Sequence, residues 1–397
     1  MKNHVTKRIS RETTPLRPTL VAAGLDVSDR TCELCIVGED GEVTYRATFR
    51  TTRAGLAQAF DGRPPMRIAL EVGTHSRWIT RALAGWDHEV IVANPRKLRL
   101  ISENDSKGDP VDAELLARLA RVDPKLLSPI RHRSEAHARA LAVVRARDPL
   151  VRARVTLVNH VRGAVKPVGG RIEPCSTETF GHKAAAQLPR ELADVLQPVL
   201  DQITALTETI RSFDRRIEKL ATEHFPETAP LRQIPGVGAL TALAFVLTLD
   251  DPTRFRNARA VGAYLGLRPR RAQSGQDDPQ LRITKAGDPY LRALLVQSAH
   301  YTLGRFGPDS DLRRWGLRLA KQSAPATGEE PSRKKNQTDR IAKKKAVVAV
   351  ARKLSVVLFR LWVTQADYEP FRAPPPAPGR RRKHPEEVST VEEKPAA

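Results

Sequence analysis

The spacing of apolar residues in the N-terminal third of the chain predicts a small sheet flanked by helices. Strands are expected where apolar residues run together or alternate with polar ones, and helices where they recur every three or four positions. In chain order the expected strands are 19–25, 31–37, 42–49, 66–70 and 89–93, and the expected helices are 54–60, 75–83 and 111–122. This order, with a hairpin near its start, predicts an α/β domain built on a mixed sheet.

A heptad pattern follows in the middle of the chain. From Leu192 to Leu220 the apolar residues are separated alternately by four and three positions, which is the spacing of a coiled-coil seam. Such a seam packs either on a second copy of the chain or on the preceding helical segment at 139–165, and we favour the contact between subunits. Pro198 is expected to limit how much of this segment is one straight helix.

The last third of the chain is predicted to be mainly helical. Helices are expected at 239–249, 256–266, 288–301 and 342–361, with a charged loop at 329–339. The resulting division is a basic N-terminal tail at 1–18, an α/β domain at 19–135, a helical connector at 136–225, a mainly helical domain at 226–368 and a Pro/Arg-rich tail at 369–397.

Composition narrows the class of partner. The 397 residues include 67 Lys and Arg but only 45 Asp and Glu, which gives a net charge of +22. A charge of this size favours a polyanion as the partner, above all nucleic acid. No apolar run approaches the ~18–20 residues of a membrane span. The polar N-terminus and the three cysteines lead us to expect a protein of the reducing cytoplasm with no membrane partner.

Four acidic residues form the first candidate site. Asp26 and Glu71 each end an apolar strand, where α/β folds place their sites, and Asp109 and Asp112 stand three apart at the start of a helix. Carboxylates that converge in this way can hold Mg²⁺ ions for phosphoryl transfer. From these residues alone a structural interpretation stays open, because Asp109 also suits an N-cap followed by proline and Asp26 suits a plain turn.

Two loops in the last third form the second candidate site. Pro235-Gly236-Val237-Gly238 precedes an apolar helix and is similar to turns whose backbone N–H groups bind phosphate, although a tight turn between helices has the same pattern. Ser274 lies beside a glycine in a loop that also carries Arg270, Arg271, Arg282 and Lys285. Such a serine either hydrogen-bonds a phosphate or attacks it as a nucleophile, with the cations balancing the developing negative charge.

Together these motifs resemble the DEDD transposases of bacterial insertion sequences, the insertion-sequence one-ten family of RNA-guided bridge recombinases. The resemblance runs from about Leu20 to Tyr368. Its most specific segments are Gly24-Leu25-Asp26-Val27, Leu70-Glu71, Asn94-Pro95, Lys107-Gly108-Asp109-Pro110-Val111-Asp112-Ala113, Pro235-Gly236-Val237-Gly238, 265–275, 285–292 and Ala351-Arg352-Lys353-Leu354.

This resemblance implies a RuvC-like domain of ribonuclease-H-like fold, a coiled-coil connector and a C-terminal transposase domain. It implies that Asp26, Glu71, Asp109 and Asp112, called here the acidic tetrad, hold Mg²⁺, and that DNA is cut and rejoined through a covalent phosphoserine at Ser274. Double-stranded DNA, an element-encoded guide RNA and further copies of the chain are the implied partners, with the tetrad of one subunit serving the serine of another. The expected nucleic-acid contacts are Gly236, Gly238, Arg268, Arg270, Arg271, Arg282, Lys285 and Arg292.

One segment departs from the family pattern. After Glu71 the family often has Thr-Gly and an aromatic residue, whereas this chain has Val72-Gly73-Thr74-His75, with Trp78 later. Two alternative functions also remain open from the sequence. One is a metal-dependent endonuclease of Holliday-junction type, which needs the acids but not the serine; the other is a nucleic-acid-binding protein without enzymatic activity.

Overall fold

The computed structural model describes residues 21–96, 108–275, 277–279, 281–322 and 333–371, with no account of the side chains at 322 and 333–339. Two compact units divide the chain, Met1–His132 and Arg133–Ala397. The expected connector at 136–225 therefore shares a unit with the expected C-terminal domain. The tail at 1–18 and most of the tail at 369–397 lie outside the described residues.

A five-stranded mixed sheet forms the first unit, as the apolar pattern predicted. Strand β1 pairs antiparallel with β2 and parallel with β4, and the strands lie in the order β3-β2-β1-β4-β5. The strands are β1 (Ala22–Val27), β2 (Thr31–Val37), β3 (Val43–Arg50), β4 (Arg67–Glu71) and β5 (Glu89–Ala93). Strands β1 and β4 end later than expected, so Asp26 and Glu71 lie within the last two residues of their strands.

The two faces of this sheet are covered by different helices. These are α1 (Arg53–Phe60), α2 (Ser76–Ala84) and α3 (Asp109–Val122). Because side chains alternate along a strand, Ala23 and Leu25 of β1 pack in the apolar cluster of α1 and α2. Ala22 packs in the opposite cluster with Leu116 and Ala120 of α3.

Gly24 brings α3 into direct contact with the backbone of β1. A Cβ atom at this position would lie 1.9 Å from the Ala113 carbonyl oxygen and 2.6 Å from the Ala117 nitrogen. Both of those atoms belong to the helix backbone, which cannot rotate away as a side chain can. Only glycine therefore permits this separation of helix and strand.

Helices make up the second unit. They are α4 (Glu135–Ala164), α5 (Phe180–Ala185), α6 (Arg190–Lys219), α7 (Ala229–Arg232), α8 (Ala239–Leu249), α9 (Ala258–Tyr264), α10 (Pro289–Leu303), α11 (Asp311–Gln322) and α12 (Arg333–Thr364). The apolar helix α8 is buried, and Phe245 shares a cluster with Leu295 of α10 and Leu354 of α12. Within the described residues no helix is both long and apolar enough to cross a membrane.

The long helices α4 and α6 pack along each other in opposite directions. Val144 of α4 shares a cluster with Ile217 near the end of α6, whereas Val158 shares one with Leu200 near its start. Helix α6 is a single 30-residue helix that contains Pro198, so the proline limits it less than expected. The charged loop predicted at 329–339 is wrong for 333–339, because α12 already begins at Arg333; residues 329–332 lie outside the described residues.

Substitution of Gly24 tests the contact between β1 and α3. We expect Gly24→Ala to lower the free energy of unfolding by about 1–3 kcal/mol, because the new methyl group must push the α3 backbone away. Urea denaturation measures this change. Gly73→Ala is the matched control, since a Cβ there meets nothing within 4 Å. Equal stability of the two variants would contradict the contact.

Candidate active site

Asp26 and Glu71 are neighbours at the carboxyl ends of the adjacent strands β1 and β4. The parallel register pairs Leu25 of β1 with Leu70 of β4, so the next residue of each strand lies beside the other, at the strand spacing of about 4.8 Å. Both side chains project to the face that α3 covers, because they alternate with residues of the other face. The ends of two adjacent strands therefore bring the first two acids together.

Helix α3 carries the other two acids to the same end of these strands. The helix runs antiparallel to β1 and β4: its middle lies over Gly24, and the carbonyl of Ala120 near its end accepts a 3.1 Å hydrogen bond from Nη1 of Arg67, at the start of β4. Its first turn, with Asp109 and Asp112, consequently lies where Asp26 and Glu71 end their strands.

Asp109 does not have the capping role that the structural interpretation gave it. The N-cap of α3 is Gly108, and Asp109 is the first residue of the helix. The prediction of Asp109 as N-cap is therefore wrong. Its exposed carboxylate instead lies at the positive end of the helix dipole, which favours an anionic side chain.

Arginines of the neighbouring hairpin hold the first turn of α3 in place. Arg46 on β3 forms an ion pair with Glu114 and donates a 3.1 Å hydrogen bond from Nη1 to the Pro110 carbonyl. Arg118 forms a 2.7 Å ion pair with Glu114 and donates to the Gly41 carbonyl at 2.9 Å. Sequence reasoning missed Arg46 and Glu114 as positioning residues. The Glu114–Arg118 spacing of four was a local signal for part of this network, whereas nothing local pointed to Arg46.

Burial and neighbouring acids raise the pKa of Asp26 and of Glu71. Burial raises the pKa of Asp26 to about 6, helped by the charges of Asp109 and Asp112, while a backbone hydrogen bond from Val27 acts against the rise. The pKa of Glu71 is also raised, first by burial and then by the charges of Asp26 and Asp112. Asp109 and Asp112 thus lie within electrostatic reach of Asp26, and Asp26 and Asp112 lie within reach of Glu71.

The donor set suits a divalent metal ion, as the resemblance to DEDD transposases implies. Carboxylates are the hard oxygen ligands that Mg²⁺ and similar ions prefer, and neither Asp26 nor Glu71 forms a salt bridge within the described residues. In the described part of the chain, however, no three such side chains are close enough to share one ion. These side chains would therefore have to move closer together to share one ion.

The segment that departs from the family pattern forms a small polar cluster after β4. The Trp78 indole N–H donates a 3.1 Å hydrogen bond to Nδ1 of His75, so Nε2 carries the ring proton and lies 3.2 Å from Oδ1 of Asp29. An aromatic side chain thus supports this loop, although it comes from α2.

Ser274 lies on a two-stranded ribbon in the second unit. Gly266 O accepts from Lys285 N at 3.0 Å, and Arg270 N donates to Arg282 O at 2.9 Å. Near the tip, Ser274 and Asp277 exchange two backbone hydrogen bonds of 3.0–3.1 Å. We call residues 266–285 the serine ribbon; Gln276 and Gln280 within it lie outside the described residues. Ser274 is exposed on this ribbon, which leaves its hydroxyl accessible.

The expected cationic contacts fall into two groups. Arg268, Arg270, Arg271, Arg282 and Lys285 are exposed along the serine ribbon, as nucleic-acid contacts require. Arg292 is different, because its Nη1 donates to the carbonyls of Leu265 and Gly287 at 3.1 and 3.3 Å. The structure therefore uses Arg292 to fix the base of the ribbon.

The glycine motif forms a tight turn before α8. Val237 N donates to Ile234 O at 2.9 Å, and Gly236 has a φ of 89° with its α-carbon against the ring of Tyr301. Gly238 is the N-cap of α8, and a Cβ there would meet nothing within 4 Å. The turn thus leaves open space at the start of the helix.

Comparison with known proteins shows the class to which this arrangement belongs. Residues 23–168 match a family model of DEDD transposases, and residues 228–313 match the model described as "Transposase IS116/IS110/IS902 family". The protein is thus a transposase, an enzyme of DNA cleavage and transfer. Because the two matches together cover more than half of the chain, it belongs to the IS110 family of insertion-sequence transposases.

Named relatives cover most of the chain. The transposase for insertion sequence element IS1328 of Yersinia enterocolitica is 28% identical over 297 residues, which are 72% of this chain and 85% of the relative. The transposase for element IS1111A of Coxiella burnetii is 24% identical over 87% of this chain and 90% of its own length. A pilin gene-inverting protein of Moraxella bovis is 23% identical over 71% and 83%.

Neutralising Asp26 is expected to stabilise the fold in metal-free buffer. Because the folded pKa of about 6 lies above the ordinary aspartate value of 3.8, the folded state binds more protons between these values, and the stability of the wild type falls as pH rises through that window. At pH 7 we expect Asp26→Asn to be more stable by about 1–2 kcal/mol, a figure discounted for solvent screening. At pH 4 the difference should shrink towards zero.

Urea denaturation in EDTA at the two pH values measures this effect. Asp61→Asn is the control, because Asp61 is an exposed carboxylate of the same unit. A lower stability of Asp26→Asn than of the wild type at pH 7 would show that the ionised Asp26 carboxylate does not destabilise the folded state.

Proposed function

We propose that the protein cuts and rejoins insertion-sequence DNA through a covalent phosphoserine at Ser274, with Mg²⁺ held by the acidic tetrad. The observation that carries this proposal is the convergence of Asp26, Glu71 and the first turn of α3 at one edge of the sheet. An exposed serine on a cationic ribbon supplies the nucleophile. The acids belong to the first unit and the serine to the second.

The chemistry conserves the energy of the phosphodiester bond. Ser274 Oγ attacks phosphorus, so an O–P bond forms while the bond from phosphorus to the leaving deoxyribose oxygen breaks. The hydroxyl proton of Ser274 is lost and the leaving oxygen takes up a proton. In the second step the hydroxyl of another strand attacks the phosphoserine and releases Ser274, so strand exchange needs no external energy source.

Different residues of this chain would balance the charge of the reacting phosphate and that of the DNA backbone. Bound Mg²⁺ would neutralise the negative charge that develops on the phosphoryl and leaving oxygens, and the tetrad would hold it. The exposed cations of the serine ribbon hold the DNA backbone. No histidine lies close to Ser274 in the sequence, so we infer that the metal site rather than a histidine base activates the serine.

Nucleic acids are the partners that this site requires. The net charge of +22 suits double-stranded DNA at the element ends and target, together with an element-encoded RNA that selects the site. The name of the Moraxella bovis relative describes inversion of a gene, and we infer that this chain likewise catalyses strand exchange at defined sites.

A second copy of the chain is proposed to complete the active site. Within each subunit, α6 buries every seventh residue of its heptad seam, namely Leu196, Ile203, Ile210 and Ile217. The alternate seam residues Leu192, Val199, Leu206, Phe213 and Leu220 are only partly buried, and three of them, Leu192, Val199 and Leu220, pack against clusters of the same chain. Most of the seam therefore packs within the chain, and we propose that the remaining pair, Leu206 and Phe213, packs on a second copy.

A negative charge at Phe213 tests the proposed contact between two copies. We expect Phe213→Glu to weaken self-association by about tenfold or more, because the contact would bury a carboxylate, while circular dichroism stays unchanged. Sedimentation equilibrium measures the association. Ala205→Glu on an exposed part of the same helix is the control, and equal association of both variants would exclude Leu206 and Phe213 as the contact.

Removal of the serine hydroxyl tests the proposed chemistry. With full-length protein, guide RNA and a labelled element-end duplex, we expect Ser274→Ala to form no covalent adduct and to lose strand exchange by about 10³-fold or more, while DNA binding persists. Asp109→Asn and removal of Mg²⁺ with EDTA should also abolish the adduct. Thr284→Ala, which deletes another hydroxyl of the serine ribbon, should leave it intact.

The products distinguish this mechanism from its alternatives. Free nicked DNA that requires the acids and is still made by Ser274→Ala would indicate a hydrolytic endonuclease of Holliday-junction type. Binding without any cleavage in wild-type protein would indicate a nucleic-acid-binding protein.

A further inference from the structure

A cationic cavity lies between the serine ribbon and helix α12. Its volume is about 300 Å³. Residues of both arms of the serine ribbon line the cavity. Arg352 of α12, which is far along the chain, also lines it. The lining residues are Arg268, Pro269, Arg270, Arg271, Asp278, Pro279, Leu281 and Arg352.

The charges in this cavity are not balanced by the protein. It contains four guanidinium groups and one carboxylate, and that carboxylate, Asp278, forms a 3.4 Å ion pair with Arg271. The other three arginines form no salt bridge within the described residues. Cations held this close together repel each other unless an anion lies between them. The cavity is therefore suited to an anionic group.

Gly262 directs the side chain of Arg352 towards this cavity. Arg352 lies across α9, where a Cβ at position 262 would be 3.1 Å from its Cγ and 3.6 Å from its Nε. Because α9 has no side chain at this point, the aliphatic part of Arg352 can follow the helix surface. The orientation of Arg352 is thus built into the packing of α9 on α12.

The lining favours a backbone phosphate over a small organic ligand. Small-molecule pockets are lined mainly by apolar and aromatic groups, whereas this cavity has arginines and no aromatic ring among its lining residues. Planar guanidinium groups bind phosphate oxygens in pairs. Arg271 stands three residues from Ser274, about 10 Å along an extended chain, which spans a few nucleotides of a strand that rises about 3.4 Å per nucleotide.

We propose that the cavity binds a backbone phosphate of the DNA strand that Ser274 attacks, a few nucleotides from the scissile bond. Arg352 is then a positioning residue that holds the strand in register with the serine. This assignment rests on the proposed role of Ser274 for the identity of the strand, whereas the phosphate site itself rests on the four arginines.

The salt dependence of DNA binding tests the phosphate site. In full-length protein carrying Ser274→Ala, where no adduct complicates binding, we expect Arg352→Ala to reduce the slope of log affinity against log salt by about 0.9 on duplex DNA or 0.7 on a single strand. Arg360→Ala removes the same charge from an exposed position of the same helix and should leave the slope unchanged. Equal slopes for the two variants would overturn the proposal.

The rate of adduct formation tests the positioning role. With Ser274 intact and DNA at saturation, we expect Arg352→Ala to slow the adduct about tenfold. Arg352→Lys should restore the salt slope but not the rate, since an ammonium lacks the planar fork. Gly262→Ala, which displaces Arg352 without removing charge, should slow the adduct in the same direction. A normal rate in Arg352→Ala at saturating DNA would overturn the positioning role.

Parallel titrations identify the strand and separate this proposal from the previous one. If Arg352→Ala changed the salt slope of guide-RNA binding but not that of DNA binding, the cavity would bind RNA and our assignment would be rejected. If Ser274→Ala retained strand exchange, Ser274 would be rejected as the nucleophile. The salt slope of DNA binding by Arg352→Ala would still test the phosphate site.

Discussion

Gly24 allows the backbone of α3 to lie directly on β1, and that contact brings the first turn of α3, with Asp109 and Asp112, to the end of the sheet where Asp26 and Glu71 lie. The register of β1 and β4 places Asp26 beside Glu71, but Asp109 and Asp112 join them only because the helix crosses this strand with no side chain between the two backbones. The ion pairs of Glu114 with Arg46 and Arg118 then hold the first turn at the sheet edge. The position of half of the tetrad thus depends on the missing side chain of one residue.

The assembled tetrad is electrostatically unfavourable without a cation. Burial and neighbouring carboxylates raise the pKa of both Asp26 and Glu71, so the folded chain carries their negative charges less readily than the unfolded one. Strain of this kind is common at functional sites, where stability is given up for chemistry. In the proposed mechanism a divalent ion held by these acids would relieve this repulsion and supply the positive charge that phosphoryl transfer needs.

The arginines of this strongly basic chain have different roles. Arg292 binds two carbonyls at the base of the serine ribbon, and Arg154 is buried between α4 and α6, where it donates to Thr207. Arg268, Arg270 and Arg352 instead face an open cavity. Net charge indicated the class of partner correctly, but it did not distinguish these roles. That distinction depends on which polar groups the fold brings within hydrogen-bonding distance.

Local patterns were enough to locate most of the elements, because apolar periodicity reflects which side of a strand or helix is buried. The strands at 31–37 and 89–93 and the helix at 239–249 have the expected bounds. The acids were recognisable at the ends of two other strands and at the start of another helix. The shared face of Asp26, Glu71 and α3, the buried half of the α6 seam and the approach of Arg352 to the ribbon were decided by tertiary contacts. Each joins residues tens of positions apart, and no local pattern encodes which distant backbone will pack closely enough to bring two side chains together.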